Sequence, residues 1–118
     1  MIRIAKKQAK KSAFLKHRVG AVIVKGNRVI STGYNEIRYS HYLDKPTVHA
    51  EEAAVIKVLN RLGQHDLVGA RIYVSRYTKA GHIGIAAPCS RCTALLRSVG
   101  ISSAIYTTDS GGVEEMKL

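Results

Sequence analysis

The sequence has only two cysteines, no long apolar run and few acidic residues, and each shortage excludes a class of protein. Cys89 and Cys92 lie in one Cys-x-x-Cys segment, so disulfides cannot link distant parts of the fold, and reduced thiols suit the cytoplasm. No apolar segment approaches the roughly 20 residues of a membrane-spanning helix. A secretory signal requires an apolar segment after its basic residues, and no such segment follows the N-terminal lysines. We expect one soluble, cytoplasmic domain, residues 1–118, with no membrane partner.

The shortage of acidic residues leaves a strongly basic chain, with 19 Lys and Arg against 8 Asp and Glu and a net charge of +11. This excess is larger than solubility requires and indicates a polyanionic partner, with nucleic acid as the first candidate and DNA ahead of RNA. A cationic protein that attracts a phosphorylated small molecule is the alternative. The basic face of the first predicted helix is either solvated or in contact with phosphates, and its candidate residues are Lys6, Lys7, Lys10 and Lys11.

Hydrophobic patterning predicts helices and strands in alternation. The predicted helices cover residues 2–17, 49–62 and 89–99, and the predicted strands cover 19–24, 28–34, 70–76, 102–107 and 113–118. A parallel strand after residue 107 would need a crossover of a dozen or more residues, so the last strand must be antiparallel to the one before it. Residues 77–87 are consistent with an extended hairpin whose tip is Ala80-Gly81.

Four residues predict a metal site. Cysteines at positions i and i+3 of one helical turn, here Cys89 and Cys92, place both sulfurs on one face, and His49 supplies a third ligand. Three such ligands leave one tetrahedral position open to water, which is the arrangement of a catalytic zinc, and we predict one Zn²⁺ per chain. Glu51, two residues after the histidine, is then placed to carry protons. The alternatives are a thioredoxin-type redox pair, which leaves His49 and Glu51 unexplained, and a zinc ion that only stabilises the fold.

The segment His49-Ala50-Glu51, followed by Pro88-Cys89-Ser90-Arg91-Cys92, resembles the signature of zinc-dependent nucleobase deaminases. On these residues the sequence is identified as a member of the cytidine deaminase superfamily, with a resemblance that covers residues 19–107. The resemblance implies hydrolytic deamination of cytosine to uracil, with Glu51 moving the protons. It also implies that the Ala50 N–H donates to the cytosine carbonyl and that Asn35, in Gly33-Tyr34-Asn35, lies beside the sugar of the substrate.

The substrate is less determined than the reaction. The Gly-Tyr-Asn segment resembles deoxycytidylate deaminases, whereas the antiparallel last strand resembles nucleoside-type and polynucleotide-directed deaminases. Tyr42, in the loop 36–48, is expected to stack on substrate, and His82 is expected to contact it. We predict a cytosine within a polynucleotide as substrate, DNA before RNA. The alternatives are free cytidine, deoxycytidine or deoxycytidylate, adenosine in RNA, and a non-catalytic, zinc-stabilised nucleic-acid-binding module.

Together the elements and the resemblance predict an α/β fold of three layers. A mixed sheet of four or five strands ends in an antiparallel hairpin, two helices carry the zinc ligands on one face, and the N-terminal helix covers the other. The resemblance also leaves a homo-oligomer open.

Overall fold

The computed structural model describes residues 1–13, 17–37, 47–61 and 63–118. Its helices are α1 (Ile2–Ala9), α2 (Ala50–Arg61) and α3 (Ser90–Ser98), with a short 3-10 helix at Gln64–Asp66. Its strands, in chain order, are β1 (His17–Lys25), β2 (Arg28–Tyr34), β3 (Glu36–Ile37), β4 (Thr47–Val48), β5 (Arg71–Thr78), β6 (Ile83–Gly84), β7 (Ser103–Thr107) and β8 (Val113–Lys117). No helix in these ranges is both long and apolar enough to cross a membrane.

The main sheet is mixed, as predicted, but has six strands instead of four or five. Its order is β2-β1-β5-β7-β8, and only the β5–β7 pair is parallel. The additional strand is β6, which returns from the hairpin after β5 and pairs with it antiparallel. The antiparallel final hairpin, β7 with β8, is confirmed. The short strands β3 and β4 pair with each other in a second sheet.

The two faces of the sheet carry separate cores, which confirms the three-layer architecture. Along β1, Ala21 and Ile23 face the larger core that includes α2 and α3 residues, while Val22 and Val24 face the smaller core with Ala5 of α1. A strand buried on both faces is the structure that its continuous apolar run predicts. The two helices expected to carry the zinc ligands therefore lie on the opposite side of the sheet from α1.

The first helix is shorter than predicted, since α1 ends at Ala9 and His17 already belongs to β1. Gly20 explains how closely the helix lies on the sheet: a Cβ atom built there would be 2.1 Å from the Ala5 carbonyl oxygen. Alanines recur at positions 5, 9 and 13; Ala5 and Ala9 are buried, but Ala13 is exposed and Ser12 is buried in its place. The helical phase is lost after Ala9, where the chain turns to begin β1.

The other predicted elements agree with the structure to within about two residues. A tight turn joins β1 and β2, with Gly26 at a φ of 62°, a conformation that glycine adopts without strain. The hairpin predicted at residues 77–87 is also confirmed. The Thr78 N–H donates to the His82 carbonyl at 2.8 Å, and Gly81 occupies the tip at a φ of 86°.

Candidate metal centre and active-site cavity

The N-termini of α2 and α3 bring the three predicted metal ligands together. His49 directly precedes α2, Cys89 is the N-cap residue of α3, and Cys92 lies in its first turn. The His49 Nδ1 atom is 3.3 Å from Cys92 Sγ and 3.8 Å from Cys89 Sγ, and the three ligand atoms lie within 4.8 Å of one another. Tetrahedral zinc at its usual bond lengths separates a nitrogen ligand from a sulfur ligand by about 3.6 Å. The geometry therefore fits a single zinc ion.

Local hydrogen bonds fix the two helix ends that carry these ligands. The His49 carbonyl accepts from Ala53 N–H at 2.9 Å, and the Cys89 carbonyl accepts from Thr93 N–H at 2.8 Å. The Cys89 sulfur itself accepts from the Cys92 N–H at 3.5 Å, so it serves as the side-chain cap of α3. Two helix N-termini directed at one point favour thiolates and other anions there.

Glu51 is a carboxylate in an almost closed environment, with a relative exposure of 5%. Burial raises its pKa from 4.5 to about 7, and the negative charge of Glu52 acts in the same direction. Burial also raises the pKa of the Cys92 thiol, with Glu51 as a further cause. A divalent cation beside these two groups would stabilise both anions, as zinc does for thiols that coordinate it. The electrostatics and the ligand geometry therefore indicate the same occupant.

Glu52, next to Glu51, has a structural position. Its Oε1 accepts from the His49 N–H at 3.4 Å, which is one half of a capping box at the start of α2. The same oxygen forms an ion pair with Arg91 of α3. Glu52 thus ties the two ligand-bearing helix ends together, and Arg91 is paired with a carboxylate.

A cavity of about 310 Å³ opens beside the metal ligands. Its floor is formed by Ala50 and Glu51, which are buried, and its mouth includes exposed residues such as His17 and Ile85. The complete lining is His17, Val19, Asn35, Glu36, Val48, His49, Ala50, Glu51, Arg76, Ile85, Ala86, Ala87 and Cys89.

The four residues predicted to contact substrate are placed differently from one another. Asn35 lines the cavity, but its amide group is engaged with β1, since Oδ1 accepts from Val19 N–H at 2.9 Å and Nδ2 donates to the His17 carbonyl. The Ala50 N–H lies in the first turn of α2, where no intrahelical acceptor exists. His82 is exposed at the hairpin tip and is not among the lining residues, so the prediction that it contacts substrate gains no support. Tyr42 lies outside the described residues.

The predicted nucleic-acid-binding lysines lie on and after α1, across the sheet from the metal ligands. Lys7, Lys10 and Lys11 are exposed and Lys6 is half-buried. Lys10 Nζ is 5.7 Å from the centre of the Tyr77 ring, which adjoins the cavity-lining Arg76 along β5 but lies on the opposite face of the sheet.

Sequence reasoning did not identify the cavity-lining residues His17, Arg76 and Ile85. The strand period carried part of the signal: Arg76 follows Ile72 and Val74 at intervals of two, so it lies on the face of β5 that packs toward α2 and α3. The antiparallel register of β1 and β5 then places His17 on the same face, but that register is not readable from one sequence.

The close contact between β2 and α2 yields a first prediction. A Cβ atom at Gly33 would be 2.5 Å from the Ala50 carbonyl oxygen, and one at Gly20 would meet α1 with similar severity. We expect Gly33→Ala and Gly20→Ala each to lower the free energy of unfolding by about 1–3 kcal/mol or more. Only Gly33→Ala should also weaken zinc binding, because α2 carries His49. Chemical denaturation and a competitive zinc chelator measure the two effects, and equal zinc affinities in both variants would contradict the prediction.

The comparisons with known proteins agree with this geometry. Residues 1–108 match the family model described as the cytidine and deoxycytidylate deaminase zinc-binding region. The chain is 30% identical to the deoxycytidylate deaminase of Mycobacterium phage D29, in an alignment that covers 91% of each chain. It is 32% identical to the tRNA-specific adenosine deaminase of Aquifex aeolicus, over 90% of this chain and 62% of that one. An uncharacterized deaminase of Aliivibrio fischeri is 33% identical over 71% of this chain. The aligned region spans only 54% of the length of that deaminase.

Two solved structures share the fold. The cytidine deaminase from Burkholderia pseudomallei superposes with a TM-score of 0.73 at 25% identity, covering 98% of this chain and 88% of that one. The dCMP deaminase from cyanophage S-TIM5 gives a TM-score of 0.70 at 20% identity, covering 91% and 79%. The family model spans both the His49-Ala50-Glu51 segment and the two cysteines. The chain therefore belongs to the cytidine and deoxycytidylate deaminase zinc-binding family.

Proposed function

We propose that this protein is a zinc-dependent hydrolytic deaminase that converts the cytosine base of a free nucleotide to uracil. The observation that carries the proposal is the meeting of His49, Cys89 and Cys92 around one point, with the Glu51 carboxylate in the floor of the adjoining cavity. Zinc supplies the nucleophile for such a reaction at neutral pH, because it lowers the pKa of water to about 7.

The residues around the cavity have separate roles in this reaction. Glu51 accepts one proton of the attacking water and delivers it to the ring nitrogen next to the attacked carbon, then carries the second water proton to the exocyclic amine, which leaves as ammonia while the water oxygen becomes the new carbonyl. One carboxylate serves both steps because it is buried beside the ligands and also faces the cavity that holds the base. The Ala50 N–H, without an intrahelical acceptor, donates to the cytosine carbonyl and so orients the ring.

A free nucleotide is favoured over the other substrates by the relatives. The relative of which this chain spans 91% is named a deoxycytidylate deaminase. The cavity volume of about 310 Å³ also suits a small molecule, since ligand pockets begin at about that size. We therefore place the mononucleotide ahead of the polynucleotide that the sequence favoured, and we keep adenosine deamination in RNA as a less favoured alternative.

The second candidate is a cytosine within a polynucleotide, and one observation favours it. The net charge is +11, and the exposed Lys10 lies over the ring of Tyr77, the residue that follows the cavity-lining Arg76. A single strand leaving the cavity along Tyr77 and Lys10 would meet both an aromatic ring and a cation, the two elements of single-strand binding. None of the relatives described above is named for DNA.

A single substrate panel decides between the candidates. Mass spectrometry would follow uracil formation from deoxycytidylate, cytidylate, deoxycytidine, and single- and double-stranded cytosine oligonucleotides, with an adenosine-containing RNA beside them. We expect the highest kcat/KM for the mononucleotide. Turnover of the oligonucleotide alone, falling steeply with salt, would establish the second candidate instead. Failure to deaminate any of these compounds would contradict the proposed reaction.

A further inference from the structure

We propose that Arg76, together with the His17 ring that it orients, binds the phosphate group adjacent to the cytosine nucleoside in this cavity. The inference rests on the proposed function and adds a specificity-determining site to it. Neither residue belongs to the His-x-Glu or Pro-Cys-x-x-Cys segments.

Arg76 is a cation that lines the cavity, and no carboxylate among the described residues pairs with it. Its Nη2 atom donates to His17 Nδ1 at 2.6 Å, its Nη1 donates to the Ile85 carbonyl at 3.5 Å, and its Nε is buried without a hydrogen-bond partner. A partly buried guanidinium satisfied only by neutral groups is costly, and its planar fork of donors matches a phosphate. The chemistry of the missing partner is therefore that of an oxyanion.

The contact with Arg76 also determines how His17 can act. A guanidinium has only donors, so His17 Nδ1 must be the acceptor in their hydrogen bond, and the proton of the neutral ring lies on Nε2. His17 is exposed at the cavity mouth, where this Nε2–H is available to a ligand. The pair thus offers a guanidinium and an imidazole N–H at the same edge of the cavity.

The position of the pair relative to the metal ligands matches the order of groups in a nucleotide. Ala50 and Glu51 are buried in the first turn of α2 beside the metal ligands, where the base must lie, whereas Arg76 and the exposed His17 line the cavity from β5 and β1. Glu36 lines the same cavity, but a carboxylate repels phosphate, so Arg76 is the group that determines where the phosphate lies. The base at the metal and the phosphate at the mouth leave the sugar between them.

Arg76 is held in place by the strands around it. The backbone N–H of Arg76 donates to Thr107 Oγ1 at 3.3 Å, and the same buried hydroxyl donates to the Gly84 carbonyl at 2.8 Å. These two hydrogen bonds join β5, β6 and β7. Gly84 lies opposite Arg76 in the register, and a Cβ there would be 3.6 Å from Arg76 Cδ, so the aliphatic part of the side chain passes over the glycine. A cation fixed in this way binds an anion with little loss of side-chain entropy.

Equilibrium binding of products tests the inference without depending on catalysis. Isothermal titration calorimetry would compare dUMP with deoxyuridine on the zinc-loaded wild type, Arg76→Gln, Arg76→Lys and the control Arg28→Gln, whose arginine lies at the opposite end of β1 and β2. We expect Arg76→Gln to weaken dUMP binding by about 10- to 100-fold, the value of a hydrogen-bonded charge, while its affinity for deoxyuridine changes less than about 3-fold. Arg76→Lys should lie between these values, and Arg28→Gln should match the wild type.

Wild-type protein gives a second measurement that needs no variant. Inorganic phosphate should weaken dUMP binding and leave deoxyuridine binding unchanged, which decides the question if Arg76→Gln fails to fold. The proposal would be overturned if Arg76→Gln lost affinity equally for dUMP and deoxyuridine, if it lost affinity for neither, or if inorganic phosphate had no effect on dUMP binding. A dinucleotide with a phosphodiester 5′ to the uridine distinguishes a free nucleotide from a polynucleotide as the source of the phosphate. Tighter binding of dUMP than of the dinucleotide supports a free nucleotide. Tighter binding of the dinucleotide overturns that assignment.

The outcomes also separate this inference from the proposed function. If no cytosine compound is deaminated but Arg76→Gln loses affinity for dUMP alone, the proposed function fails and the phosphate site stands. If deamination is observed but the wild type binds dUMP and deoxyuridine equally, the phosphate site fails and the reaction stands.

Discussion

Glu51→Gln is expected to lower kcat for cytosine deamination by a factor of about 10² to 10⁴, with zinc still bound. The amide preserves the volume of the side chain but cannot accept the proton of water or return it to the ring. The carboxylate is almost fully buried between the metal ligands and the cavity, so bulk solvent is a poor substitute for it. Steady-state kinetics on the best substrate of the panel, with zinc content measured in the same samples, provide the test.

Glu52→Gln is the matched control for this variant. Glu52 is the neighbouring carboxylate on α2, but it accepts from the His49 N–H and pairs with Arg91 instead of facing the cavity. Its loss should affect mainly the stability of the helix ends and reduce kcat less than about 10-fold, since a capping or ion-pair contact contributes about 1 kcal/mol. If Glu51→Gln retained wild-type kcat, or if both variants lost activity equally, the assignment of Glu51 as proton carrier would be wrong.

Cys92→Ser is expected to abolish stoichiometric zinc binding and to lower the free energy of unfolding by about 4 kcal/mol or more. A ligand present at a thousand times its dissociation constant stabilises the folded state by about that amount. Cys92 is fully buried beside the His49 ring and the Glu51 carboxylate, so bulk solvent cannot replace the lost sulfur ligand. Metal analysis and chemical denaturation measure the two losses.

A chelator supplies the control for this second effect. Wild-type protein stripped of metal should unfold at nearly the denaturant concentration of Cys92→Ser, and the chelator should not destabilise the variant further. Ser90→Ala, an exposed residue in the same turn of α3, should retain zinc and stability. A wild type that is indifferent to chelation would show that these residues do not hold a metal.

The sequence predicted most of the elements because the local signals were strong. The apolar run 19–24 and the short link between residues 107 and 113 each constrain the backbone locally, and the strand and the antiparallel hairpin predicted from them are confirmed. The end of α1 was predicted wrongly. Its lysines and alanines continue a helical pattern past Ala9, but the pairing of His17 with Thr78 requires an extended chain before that pattern ends.

The site could be predicted only in part, for a related physical reason. His49, Glu51 and the two cysteines are carried by two short segments, so their spacing along the chain shows that they can share a metal. Arg76 meets His17 only because β1 and β5 pair in a particular register across 59 residues. Such long-range pairings depend on the packing of the whole sheet, and a single sequence does not reveal them.

X-ray absorption spectroscopy at the zinc edge tests the central claim most directly, because it reports the atoms bound to the metal. We expect one zinc per chain with two sulfur ligands at about 2.3 Å, one imidazole nitrogen at about 2.0–2.1 Å and one light atom from solvent. Loss of the stoichiometric zinc signal in Cys92→Ser would confirm that Cys92 supplies one of the two sulfurs. A metal-free protein, or a zinc ion whose four ligands all come from the chain, would contradict the account.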